Sequence, residues 1–165
     1  MKKTLFFVIA VLFSVNTFAQ FSFNDDLEIV QALFKKAKKE LIAESMNLKV
    51  EESENFWLIY EQYEQKRKPL AKQRIEIIIA YATEYSSMTD EKANIFAKAY
   101  LNNHLQQDML YNRFYKKMSK KVGALNAAKW MQIEVFLQTQ IRALIQSELP
   151  FIDSIEIAKP TYKKA

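Results

Sequence analysis

DEKANIFAKAYLNNHLQQDMLYNRFYKKMSKK, residues 90–121, runs without a glycine or a proline. Its apolar side chains Phe96, Tyr100, Leu101, Leu105, Leu110, Phe114 and Met118 return at the spacing of one face of an α-helix. Gly123, the only glycine of the chain, follows at once and reads as the left-handed cap that ends this helix. Downstream, Ala127, Trp130, Ile133, Leu137, Ile141, Leu144 and Ile145 set out a further helix that stops at Pro150. Upstream, Phe56, Tyr60, Tyr63, Leu70, Ile77, Ile78 and Tyr81 form another stripe, with Pro69 in its middle. A proline removes a backbone donor and crowds the preceding turn, so a kink or short break is expected near Lys68. The first stripe begins near Asp25 and runs Leu27, Val30, Phe34, Ala37 and Leu41. One glycine and three prolines leave little turn chemistry for β-hairpins. The fold expected is all-α with four main helices, two long ones forming a hairpin and the first and last packing alongside; a bundle and a curved cradle both fit.

Charge places the same boundaries. Asp25, Asp26 and Glu28, then Glu51, Glu52 and Glu54, then Asp90 and Glu91 fall in first turns, whereas Lys35 to Lys39 and Lys116 to Lys121 fall late in their helices. That arrangement complements the helix dipole, which gives most of these charges a structural role.

The chain opens with Lys2 and Lys3, an apolar run from Leu5 to Phe13, and small residues at Thr17 and Ala19. This is the pattern of a signal peptide over 1–19, cleaved after Ala19. The apolar run is about half the roughly 20 residues needed to span a bilayer. Export to the periplasm or beyond is therefore expected, with residues 20–152 as a single helical domain and 153–165 as an irregular tail. There is no cysteine, so stability outside the cytoplasm must come from packing. The formal charge of +5 falls to +3 without Lys2 and Lys3, a mild excess that argues against nucleic acid as a partner.

Three expected helix starts share a box in which an apolar residue precedes a cap and a long polar side chain follows: Leu48-Lys49-Val50-Glu51-Glu52, Met88-Thr89-Asp90-Glu91-Lys92 and Leu125-Asn126-Ala127-Ala128-Lys129. Thr89 and Asn126 are good caps, whereas Lys49 cannot accept the hydrogen bond. These boxes, together with Phe56-Trp57-Leu58-Ile59-Tyr60, Ala128-Lys129-Trp130-Met131-Gln132-Ile133-Glu134 and Glu148-Leu149-Pro150-Phe151-Ile152, resemble an uncharacterised secreted helical family distantly similar to the Spy/CpxP group of periplasmic proteins. The resemblance implies a small periplasmic helical fold, often dimeric, that shields unfolded or misfolded envelope proteins or damps an envelope-stress signal.

Chemistry has few candidates. His104 is the only histidine; with Asp108 one turn on, it reads as a paired residue at a helix interface rather than a catalytic base. A di-iron bundle needs Glu three residues before a metal-binding His, and that position is Leu101. No catalytic residue, no metal ligand within one chain and no cofactor is therefore assigned, and one glycine cannot build a phosphate-cradling loop. The run from Lys66 to Arg74 carries Lys66, Arg67, Lys68, Lys72 and Arg74 with no acid. Read as a surface beside Trp57, it would suit unfolded chains, with anionic lipid as a lesser option. The functional expectation is an ATP-independent, chaperone-like or stress-adaptor binding protein. Its alternatives are a signalling accessory of a sensor kinase or anti-sigma factor, or a structural envelope component.

Overall fold

The computed structural model describes residues 29–30 and 33–149. The expected leader, the cleavage point after Ala19 and the tail 153–165 lie outside them. Among the described residues the chain is all-α: α1 spans Lys38–Met46, α2 spans Val50–Glu84, and α3 spans Asp90–Glu148, with a 3-10 turn at Tyr85–Ser87 between the long pair.

The start of the chain differs from the first stripe. Ile29, Val30, Leu33 and Phe34 are helical, but Lys35 takes φ 57, and the helix restarts only at Lys38. A left-handed residue reverses the carbonyl direction and cannot sit inside a right-handed helix. Glu40 secures the restart by accepting from the Ala37 amide at 3.1 Å, and Asn47, at φ 44, closes α1 in the left-handed region that asparagine tolerates. Ile42 and Met46 are buried, while Ala37 is exposed and Leu41 half-buried, so the buried face is shifted by one residue.

Of the kink or short break expected near Lys68, the break does not occur: helix α2 is continuous through Pro69. Pro69 faces solvent, while Arg67 and Ala71 on either side are buried, so packing on both sides keeps the helix continuous across the missing amide. Thr89 caps α3 as expected, its Oγ1 accepting from the Lys92 amide at 3.3 Å. Lys92 also reaches back to Glu84 at 2.5 Å and to the Ser87 carbonyl at 3.3 Å, tying both ends of the hairpin turn.

Helix α3 is not one rod. Gly123 has φ 84 and ψ 156, an extended positive-φ conformation essentially confined to glycine and distinct from the left-handed cap expected there. Tyr100 and Gln146, which would be about 70 Å apart on a straight helix, line the same cavity. The chain therefore folds back at Gly123, and the arms 90–122 and 124–148 lie against each other and against α2. Asn126 does not cap the second arm. The helix already includes it, and its Nδ2 donates to the Val122 carbonyl at 3.0 Å.

The core centres on Tyr63, whose ring meets Phe114 edge-on at 5.5 Å and Trp130 edge-on at 5.0 Å. Phe56, Tyr60, Met118, Val122 and Leu137 complete it. A second cluster joins Ile29 and Val30 to Ile141 and Ile145. On the first arm of α3, Asn103 and Gln107 are buried, while Tyr100, Leu101 and Leu105, expected in the apolar stripe, are 42%, 65% and 58% exposed. Asn103 belongs inside because its Nδ2 donates to the Leu70 carbonyl and to Gln73 Oε1, both at 2.9 Å.

Candidate functional site

The basic run of α2 does not form a basic surface. Lys66 and Lys72 are exposed, Lys72 lying 3.9 Å from Glu76 of its own helix, but Arg67 and Arg74 are 1% and 4% exposed. The reason is periodicity: Tyr60, Tyr63, Arg67, Leu70, Arg74 and Ile77 continue one heptad-like stripe, so the two arginines take core positions. Trp57 is half-buried between the Phe56 and Tyr60 rings, with Lys39 Nζ 5.1 Å from its centroid, and contributes to packing at the α1–α2 junction. The box residues are structural: Leu48 packs on the core, Met88 ends the 3-10 turn, Lys129 donates to the Met46 carbonyl at 2.9 Å, Leu125 is exposed, and Glu52 lies near Lys129 in a shallow groove.

Arg67 belongs to a buried ionic cluster. It grips Glu64 with two hydrogen bonds, Nε at 2.8 Å and Nη2 at 2.9 Å. Lys38, 4% exposed, donates to Glu64 and to Glu134 at 2.8 Å each, and Glu134, fully buried, also accepts from the Tyr63 hydroxyl at 3.0 Å. The Lys38 ammonium lies 5.9 Å and 5.7 Å from the Tyr60 and Tyr63 ring centres. Two cations and two carboxylates thus compensate one another where α1, α2 and the second arm of α3 meet. Burial works to raise the Glu64 pKa, but Lys38 and Arg67 outweigh it and bring the carboxyl down to about 2. Burial, and then the Glu134 charge, push the Tyr63 hydroxyl well above its usual value.

Because the Glu64 pKa is depressed on folding, the stability it supplies is complete above the ordinary glutamate value and drains away as the pH falls from about 4.5 towards about 2. The melting temperature followed by circular dichroism should drop through that window. Glu64→Gln should lower stability at neutral pH yet flatten the slope below pH 4.5; an unchanged slope would show that Glu64 is not the titrating group.

The second feature is a cavity of about 500 Å³ between the C-terminal half of α2 and both arms of α3. Arg74, His104, Arg142 and Gln146 stand in its wall, and the rest of the lining is apolar or aromatic, among it Ile77, Ile78, Tyr81, Phe96 and Leu149. Arg74 Nη1 donates to Gln138 Oε1 at 2.8 Å. Arg142 Nε and His104 Nε2 are buried atoms with no hydrogen-bond partner among the described residues. The His104 ring lies against Tyr100, centroids 4.3 Å apart, rather than in a hydrogen bond with Asp108. Its pKa is lowered by desolvation first, then by Arg142 and Arg74, with Asp108 opposing. Arg142 stands in no motif of the sequence, and Arg74, expected on a basic surface, is buried instead. A base recurring in the buried stripe of three neighbouring helical segments was the available signal.

The third feature is an exposed apolar row on the first arm of α3: Ile95, Leu101, Leu105 and Met109, each 57–65% exposed. At about 100° per residue they fall within about a third of the helix circumference. Among the described residues, no group of three or more histidine, cysteine or acidic side chains could hold a metal ion, and no helix is long and apolar enough to cross a membrane. No family model, curated protein or solved structure matches the chain.

Proposed function

We propose that this chain is an exported, non-enzymatic binding protein that holds apolar segments of other envelope proteins without nucleotide, in the manner of the Spy/CpxP-like group. The observation that carries the reading is the row Ile95, Leu101, Leu105 and Met109, which the molecule's own core does not use. Exposed apolar side chains gathered on one helix face mark a site of protein contact. Exposed Lys98 and Asn102 fall between these side chains and Asp108 at the edge of the face, so the surface mixes apolar and polar contacts. This corrects the location expected from the sequence, since Arg67 and Arg74 are buried and unavailable to a client. A few small apolar contacts give fast dissociation, so release requires no fuel.

The test is suppression of aggregation. The mature chain, at near-equal molar ratio to a chemically denatured client, should reduce light scattering. Leu101→Asn with Leu105→Asn should remove at least about half of that effect while leaving the circular dichroism spectrum unchanged, because both residues lie outside the core. Absence of suppression by the unaltered chain across a range of salt overturns the proposal. A stress regulon that changes on gene deletion in cells free of misfolded clients would instead assign the same face to a sensor kinase or anti-sigma factor.

A further inference from the structure

We propose that the end of the molecule where α3 folds back at Gly123 docks on an anionic lipid bilayer, with Leu125 and Val50 entering the headgroup layer and the surrounding lysines meeting lipid phosphates. The proposal is independent of client capture, which uses the outward row on the first arm of α3.

Charge along the chain singles out this end. Residues 109–133, the stretch that contains the fold-back, carry six bases, Arg113, Lys116, Lys117, Lys120, Lys121 and Lys129, and no acid. Lys116, Lys120 and Lys121 are exposed and have no ion pair among the described residues. Lys117 and Lys129 bond neutral partners, the Gln62 side chain and the Met46 carbonyl. Lys49 joins them across a groove that it lines together with Leu125 and Lys129. Against these six lysines stand Glu51, Glu52 and Glu54 in the opening turns of α2, Glu44 and Glu61 being paired with Lys36 and Lys39, so the end keeps a net positive charge.

Folding alone does not ask for these residues. The dipole of the first arm favours bases in its last turn, which accounts for Lys120 and Lys121. At a helix N-cap a base opposes the dipole and cannot accept a hydrogen bond, yet Lys49 occupies that position in α2 and makes no capping bond. Val50, next to it, and Leu125 are 86% and 84% exposed, the highest values among the large apolar side chains of the described residues. Positions that break a local rule without serving the fold are where a function is to be sought. A bilayer surface answers both departures: the valine and the leucine leave water, and the lysine stems lie along the apolar boundary while their ammonium groups stay at the phosphates. A soluble acidic partner would use the lysines and leave the apolar pair in water. Each base near an anionic surface strengthens attachment by about fivefold, so several act together.

The experiment is co-sedimentation of the mature chain with phosphatidylcholine vesicles, with and without roughly one third of phosphatidylglycerol. Binding to the anionic vesicles should be about tenfold or more tighter than to the neutral ones, and should weaken about tenfold when salt is raised to about 0.5 M. Lys120→Gln with Lys121→Gln should weaken it by about tenfold or more, and Leu125→Asn by about threefold or more, both with an unchanged circular dichroism spectrum because all three residues are exposed. The chain has no cysteine, so Leu125→Cys and Ile79→Cys each carry a single polarity-sensitive fluorophore. With anionic vesicles the emission of the first label should shift to the blue, and that of the second, near the other end of α2, should not. Equal binding to neutral and anionic vesicles, or no binding at low salt, would overturn the proposal. So would an unmoved label at position 125 or full binding by Leu125→Asn, either of which would give the lysines to a soluble acidic partner instead.

Discussion

Lys38→Met is expected to lower the free energy of unfolding by about 3–5 kcal/mol, the usual penalty for removing one partner of a buried ion pair. Lys38 is the only cation bonded to Glu134 among the described residues, and Glu134 has no exposed surface. Without the ammonium, Glu134 retains a single hydrogen bond, from Tyr63. Glu64 fares better because Arg67 still holds it at both oxygens. The damage therefore concentrates on Glu134, and a second change, Glu134→Gln, should recover about half of the loss or more, because the charge disappears while an acceptor for Tyr63 remains. Urea unfolding of the four members of this cycle measures the coupling. A loss below about 1 kcal/mol for Lys38→Met would mean that water reaches Glu134 and that the site is not dry.

Trp130→Ala should cost a similar amount, about 3–5 kcal/mol, through a different mechanism. Its ring is fully buried, meets Tyr63 edge-on, and lies among core residues from α1, α2 and both arms of α3. Truncation would leave a void that none of these elements can close alone, because each is fixed by the others. The indole Nε1 makes no hydrogen bond among the described residues, so the loss is one of packing, and Trp130→Phe should retain most of the stability. Circular dichroism is the appropriate probe, since the substitution removes one of the two tryptophans. A cost near that of a surface change would place Trp130 outside the cooperative core.

The helical character of the chain was legible because long amphipathic stripes without glycine leave few alternatives. The Thr89 cap was legible because a hydroxyl before an acidic first turn satisfies an amide that would otherwise lack a partner. Gly123 announced a break, but its conformation depends on how two arms meet, which no local pattern records. Lys35 gave no warning, since lysine has no preference for positive φ. The largest misreading concerned charge. Counting apolar residues placed Ile133 in the stripe of the last helix, whereas the spacing Ala127, Trp130, Glu134, Leu137, Ile141 puts Glu134 inside and leaves Ile133 half-buried. The same error placed Arg67 and Arg74 on the surface. Each occupies a core position whose cost is offset by a partner: Arg67 pairs with Glu64 one turn back on its own helix, whereas Arg74 bonds Gln138 of another segment, a contact visible only when the segments are packed together. The cavity was illegible for the same reason: its three bases are dispersed through the sequence and converge only after the chain folds back.

The span closed by Lys38 and Glu134, 96 residues along the chain, also bears on the order of assembly. The turn joining α2 to α3 brings together residues close in sequence and closes at small entropic expense, whereas the Lys38 contact must wait until the returning arm is seated. Interactions completed after the rate-limiting step act as a latch: weakening them hastens escape from the native state and leaves the rate of reaching it almost untouched. The ammonium of Lys38 is thus expected to set the lifetime of the folded molecule rather than the rate at which it forms, so Lys38→Met should speed unfolding and leave refolding nearly unchanged.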